Sequence, residues 1–213
     1  MTPTRPLSPS QVTTYLDCAE RWWFDRIAGE QPPTGALALG KVVHAGIAAG
    51  LSGDKNADEV FADAWRADVQ RAELRADEDA GALEAKGLQL VALFMKEAAP
   101  GLGAVAAIEE PCAGAIGTAH AHGVIDIRTA AGEIIDIKTA AKKPEGISSR
   151  EALQLTTYGL LKKCRTVRVV TLTKTKEPAL YSNAFTLTPS HTQYTASMFS
   201  LVGEAITLCG RRN

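Results

Sequence analysis

Cysteine is scarce and scattered: Cys18, Cys112, Cys164 and Cys209 are the only four in 213 residues, and no two form a C-x-x-C pair. That excludes the usual spacing of a zinc knuckle or a disulfide framework and makes reduced thiols the expectation. No run of about eighteen apolar residues is present to cross a bilayer, and the opening MTPTRPLSPS lacks the charged-then-apolar order of a secretory signal. A cytoplasmic protein with no membrane partner is expected. There is also no Gly-rich phosphate cradle of the P-loop kind, so a built-in nucleotide-driven motor is excluded, and no internal repeat.

A net charge of −1 argues against a histone-like coat for nucleic acid. The charge is nevertheless polarised along the chain. From Lys138 to Lys176 there are ten Lys or Arg against Glu145 and Glu151, a local balance of +8. From Asp54 to Glu84, ten acids face Lys55, Arg66, Arg71 and Arg75, a balance of −6. One side of the molecule can meet an anionic polymer that another side repels, although solvated charged faces have the same appearance.

Helical spacing of apolar residues runs through SPSQVTTYLDCAERWWFDRI, with Ser8 or Ser10 as N-cap and a stop at Gly29 and Pro32-Pro33. ALALGKVVHAGIAAGL gives a second helix, and ADEVFADAWRADVQRAEL with GALEAKGLQLVALFMKEAA gives a pair broken near Asp79 to Gly81. After Pro100-Gly101, AVAAIEE, GTAHAHGVIDIRT and GEIIDIKTA read as a three-stranded meander. A helix over SSREALQLTTYGLLKKC, strands TVRVVTLTKT and ALYSNAFTLT, and a last helix capped by Ser190 follow. The expectation is a mixed α/β (α+β) fold with a central sheet flanked by helices. It forms a single domain over 1–213: a mainly helical part to residue 100 carrying His44, a sheet core over 101–188, and a C-terminal helix from 189.

The run GEIIDIKTA puts Asp136 and Lys138 two apart in a β-branched strand. If Ala130, Ala131 and Gly132 form a three-residue hairpin loop, Thr129 pairs with Glu133, and Asp126 lies directly opposite Asp136. Both carboxylates then share one face with Lys138, while Ile125, Ile127, Ile135 and Ile137 occupy the other. Like charges directly opposed are destabilising unless compensated. A divalent cation compensates them, because Mg²⁺ and Mn²⁺ take carboxylate oxygens. A surface salt bridge between Asp136 and Lys138 is the competing reading.

GVIDIRTAAGEIIDIKT resembles the core signature of the PD-(D/E)-x-K nuclease superfamily in its RecB-like branch, with Asp126 as first acid and D-I-K at Asp136 to Lys138. SPSQVTTYLDC resembles that branch's N-terminal helix motif, GKVVHAG its histidine motif, and QLTTY from Gln154 to Tyr158 its Q-x-x-x-Y motif. The four occur in the family's order from Ser8 to Tyr158. The resemblance implies a restriction-endonuclease-like core. It implies a metal shell of His44, Asp126, Asp136 and the Ile137 main-chain carbonyl, holding Mg²⁺ or Mn²⁺. Lys138 would position or deprotonate water or stabilise the transition state. Gln154 and Tyr158, at i and i+4 of one helix, would lie beside the site.

The implied activity is DNA cleavage, from ends as an exonuclease, in repair, recombination, phage or CRISPR-related processing. A helicase or recombination protein would be the partner for any unwinding. Some relatives hold an iron–sulfur cluster with one N-terminal and three C-terminal cysteines; Cys18 fits the first position, but with Cys209 alone near Arg211-Arg212-Asn213 such a cluster is not expected. Ala19 stands where the family often has proline. Arg150, Lys142, Lys143, Lys162 and Lys163 are candidate phosphate contacts. Glu109 reads as an exposed strand-end residue, or as support for a second metal. Tyr15, Trp22, Trp23 and Phe24 read as core packing before base stacking, and His120 and His122 share the face of Asp126. A catalytically silent binding or assembly module with the same fold, and a hydrolase of small phosphoesters, are the alternatives.

Overall fold

Ser8 opens the first helix with a capping box: its hydroxyl accepts from Gln11 N at 3.3 Å, and the Gln11 side-chain Oε1 accepts from Ser8 N at 3.2 Å. With Pro9 pre-set at the first helical position, α1 (Pro9–Asp17) follows. In this computed structural model, residues 6–27, 34–53, 57–69, 72–76 and 78–210 are described, without the side chains of 26, 27, 209 and 210. The stop expected at Gly29 and Pro32-Pro33 lies outside them.

The single N-terminal helix of the sequence reading is two. Cys18 is extended (φ −161°, ψ 106°), and α2 (Ala19–Ile27) begins after it. Val12 and Tyr15 of α1 pack toward α6, α7 and β2, whereas α2 rests chiefly on α1, so the two segments follow different surfaces. Trp23 and Phe24 are accordingly 45% and 51% exposed, and do not join the core expected of them.

Helix α3 (Gly35–Ser52) is capped by the Thr34 hydroxyl and ended by Gly53 in the left-handed region at φ +67°. α4 (Ala57–Val69) and α5 (Ala80–Glu97, capped by Asp79) complete a helical layer, and a 3₁₀ turn at Ala99–Gly101 leads into the sheet. By length and composition α3 is apolar enough to cross a membrane, with mean hydropathy 1.3, contrary to the sequence reading. Its Leu39, Val42, Val43 and Ile47 are instead buried against Phe61, Trp65, Leu90 and Phe94.

The sheet runs β1 (Val105–Ile116), β2 (Ala119–Thr129), β3 (Glu133–Ala140), β4 (Thr166–Thr173) and β5 (Leu180–Thr186), neighbours in chain order. Only β3 and β4 are parallel, joined by α6 (Ser149–Lys162). This is the expected order of helices, three strands, helix, two strands and helix. Ile127, Ile135, Ile137, Val170 and Leu172 face the α3–α5 layer. Ile125, Ile134, Val167 and Val169 pack with Leu155 and Tyr158 of α6 on the other side. The last helix, α7 (Pro189–Gly210), is capped two residues earlier than expected: Thr188 takes the capping place, its hydroxyl accepting from His191 N at 3.4 Å, in place of Ser190.

Gly87 holds α5 against this core. A Cβ there would lie 2.2 Å from Phe61 Cζ and 2.7 Å from Leu39 Cδ1. Alanine would gain about 1 kcal/mol of helix propensity, but overpacking costs about 1–3 kcal/mol, and contacts this short put the site at the costly end. Gly87→Ala is expected to lower Tm by several degrees in a calorimetric scan; an unchanged or higher Tm would mean that the Phe61 ring moves aside freely.

Candidate active site

The loop Ala130 to Gly132, with Gly132 at φ +80°, sets the β2–β3 register as expected: Arg128 pairs with Ile134 and Ile127 with Ile135. The ladder then opens. Where Asp126 and Asp136 would have faced each other, Ile137 N–H donates to the Asp126 carboxylate at 2.7 Å, so a side chain replaces a backbone acceptor. On the other edge of β2, the pairs Ile108–Ile127 and Glu110–Ile125 bracket Glu109, which sits in the left-handed region at φ +48°. That conformation is costly for a residue with a Cβ, and such strain persists where the surrounding structure imposes it.

The interruption corrects two expectations. Ile125 packs under α6 while Ile127 packs under α3, so the strict alternation across Asp126 fails and the four isoleucines do not share a face. The two carboxylates also serve different neighbours. Asp126 Oδ1 lies 3.4 Å from His44 Nδ1 on α3. Asp136 Oδ1 accepts from Lys138 Nζ at 3.0 Å and from Gln154 Nε2 at 2.9 Å.

His44, Glu109 and Asp126 each bring one ligand atom into a cluster whose atoms lie within 4.8 Å of one another. One nitrogen and two hard oxygens are a donor set suited to a divalent cation. Glu109 was weighed in the sequence as a strand-end residue. It lies instead in mid-strand, and the two-residue tip Gly117-Thr118, with Ile116 paired to Ala119, is the local signal that places it opposite Asp126. His120 and His122 are exposed and lie outside this cluster.

Electrostatics couple the groups. Burial lowers the His44 pKa, but the hydrogen bond and charge of Asp126 and the charge of Asp136 outweigh it, so the net shift is upward. Burial, then the charge of Asp126, raises Glu109. Asp136, only 2% exposed, is pushed up to about 6 by burial and by Asp126, against the pull of Lys138. Its Oδ2 is 2.8 Å from Lys138 Nζ yet receives no hydrogen bond, leaving a buried lone-pair site.

Gln154 joins the parts. A capping box of Ser148 and Glu151 fixes the start of α6, and one turn on, Gln154 accepts from Lys138 Nζ at 3.3 Å through Oε1. Its amide also lies 3.3 Å from Tyr158 Oη. Tyr158 is buried, and burial pushes its phenol up to about 12. The ring fits because Gly123 on β2 lacks a side chain: a Cβ there would be 2.5 Å from Tyr158 Cε1. Of the suggested phosphate contacts, Arg150 pairs with Asp17, Lys162 with Glu110 at 2.8 Å, and Lys143 lies over the Tyr181 ring. Lys163, at φ +57°, ends α6, and Lys142 is exposed.

Among solved structures, this chain is similar to a protein from Eubacterium rectale described as a "putative exonuclease", with 16% identity and a TM-score of 0.64 over 93% of this chain and 78% of that one. That likeness bears on the fold alone. A second structure, SSO0001, aligns at 14% identity over 91% of this chain and 84% of that one, with a TM-score of 0.38 that carries no argument. No curated protein sequence matches. The family model of the PD-(D/E)XK nuclease superfamily matches residues 6–181, spanning α1 to the start of β5 and every residue of the cluster just described. With that match covering most of its length, the chain belongs to the PD-(D/E)XK nuclease superfamily.

Proposed function

We propose that this protein is a metal-dependent deoxyribonuclease of the RecB-like branch, acting from DNA ends as an exonuclease. The observation that carries the proposal is the opening of the β2–β3 ladder, which gathers His44, Glu109 and Asp126 beside the Asp136–Lys138–Gln154 network. His44, Glu109 and Asp126 would hold Mg²⁺ or Mn²⁺, with Asp136 and the Ile137 main-chain carbonyl completing the shell. Bound there, the ion supplies Lewis acidity toward the phosphate and lowers the pKa of water. Glu109 thus takes a place in the ligand set that the sequence reading assigned to four other groups.

The chain's own groups do the rest. Lys138, with its side chain 34% exposed, presents a positive charge where negative charge develops on the phosphoryl oxygens. Gln154 orients both Lys138 and Asp136, and Tyr158 supports Gln154 from beneath. Water attacks phosphorus in line, the P–O bond to the leaving strand breaks, and the departing oxygen takes a proton. The described cysteines, Cys18, Cys112 and Cys164, are unpaired, which fits a reducing compartment such as the cytoplasm.

The test is incubation of end-labelled single-stranded, double-stranded and circular DNA with Mn²⁺, Mg²⁺ or EDTA. Cutting is expected with metal and not with EDTA, with circles spared. Cutting of circles would make the enzyme an endonuclease. No cutting of any DNA by protein shown to bind Mn²⁺ would overturn the reading in favour of a silent binding module.

A further inference from the structure

A groove of about 850 Å³ opens from the cluster, between the first half of α3 and the C-terminal ends of β3 and β4. His44 and Glu109 line it together with three lysines, Lys41, Lys138 and Lys174. We propose that this groove is a second phosphate site, in which the Lys174 ammonium holds the DNA backbone at a phosphate other than the one cleaved. The inference rests on the nuclease reading above and extends it to a residue outside the family motifs found in the sequence.

Lys174 stands apart because the other cations are engaged. Lys138 is held by Asp136 and Gln154, and Lys41 lies 2.8 Å from Asp68. Lys174 is half-buried, and among the described residues its ammonium has neither hydrogen bond nor ion pair. Burial lowers its pKa, with Glu78 opposing at longer range. A partly desolvated cation without a partner is costly, and an anion entering the groove removes that cost.

Its position is set by the fold. In the parallel pair, Lys138 is level with Thr171, so Lys174 lies three residues further along, about 10 Å at strand spacing. The strand alternation that turns Val170 and Leu172 toward α3 turns Lys174 the same way. Its main chain is pinned: Lys174 N–H donates to Ala140 O at 2.7 Å, and Thr173 is tied to Ala179 through both side chain and backbone. Lys86, on α5, donates its ammonium to Thr175 O at 2.9 Å and fastens the next residue to the helical layer. Lys86 is therefore a positioning residue, acting through the loop that carries Lys174.

The experiment measures binding of labelled single-stranded oligonucleotides in Ca²⁺ across a salt series for wild type, Lys174→Ala, Lys174→Arg and Lys86→Met, with each Tm recorded. Lys174→Ala is expected to bind about tenfold more weakly at low salt. Its slope of log K against log[salt] should be shallower by about 0.7, the loss of one phosphate contact on a single strand. Lys174→Arg should restore most of the slope, and Lys86→Met should fall between. Oligonucleotides with one neutral methylphosphonate should show a single flanking position whose neutralisation weakens wild type and leaves Lys174→Ala unchanged. Equal affinity and slope for wild type and Lys174→Ala would overturn the groove while leaving the nuclease reading intact. Wild-type protein that neither binds nor cuts DNA would overturn both.

Discussion

Lys138→Ala is expected to lower the rate of DNA cleavage by on the order of 10³-fold, with the protein still folded. Removing one preorganised donor to developing charge typically costs 10²–10³-fold, and Lys138 has a second task, since it also holds Asp136 at 3.0 Å. The fold should tolerate the loss. The side chain is 34% exposed and fills no core position. Asp136, already pushed up to about 6, answers the loss of its counter-charge by taking up a proton more readily. End-labelled substrate in Mn²⁺, measured at saturation, gives the rate, and a thermal melt reports the fold. A folded variant retaining more than a tenth of wild-type kcat would remove Lys138 from the chemistry. Lys138→Arg keeps the charge but not the compact ammonium that fits between Asp136 and Gln154, so only partial recovery is expected.

In the absence of divalent metal, the protein is expected to lose stability as pH rises from about 4 toward 7, and to regain it when Mg²⁺ or Mn²⁺ is added. The sign follows from the direction of three shifts. Asp136 goes from 3.8 to about 6, and His44 and Glu109 also move upward. A group with a raised folded-state pKa binds its proton more tightly when folded. Its contribution is therefore complete below the unfolded value and is lost as pH rises through the folded one. For Asp136 that window is 3.8 to about 6; Glu109 acts just above 4.5, and His44 above 6.5. Glu110, lowered to about 2 by Arg128 and Lys162, has the opposite sign, but its window lies below 4.5. Melts at pH 5 and pH 7.5, with EDTA or with metal, test this: Tm should fall with pH in EDTA, and metal should raise it most at pH 7.5. Asp136→Asn should flatten the EDTA profile and abolish cutting. A wild-type Tm in EDTA that rises between these pH values, or one that metal leaves unmoved, would contradict the clustering of proton-binding groups at this site.

Features written within a few residues were legible in the chain. Ser8, one of the two caps expected for the first helix, does cap it, because an N-cap hydroxyl needs only the backbone N–H three residues on. Ala130 to Gly132 sets the hairpin register for the same local reason, and through it the pairs Arg128–Ile134 and Ile127–Ile135. Ser190 and Thr188 are both capping residue types two positions apart, and Thr188, one step before Pro189, takes the cap because its hydroxyl meets His191 N. The break at Cys18 was also hidden, since apolar spacing continues unbroken through it while the packing partners change.

By itself, then, the sequence determined the order of elements, the single hairpin that carries Asp126 and Asp136, and the motif residues His44, Lys138, Gln154 and Tyr158. The first two follow from turn chemistry, caps and side-chain periodicity, all of which act over a turn or a strand pair, whereas the motif residues were picked out by the resemblance of four ordered segments to a known family. The tertiary structure decided the rest: that the ladder opens at Asp126, that Glu109 turns into the cluster, that Trp23 and Phe24 stay outside the core, and that Lys174 faces the groove. The opening at Asp126 depends on α3 and α6 closing on opposite faces of one sheet, and the exposure of Trp23 and Phe24 on α2 resting chiefly on α1. Helices from distant parts of the chain impose that constraint, and no spacing within a single strand encodes it.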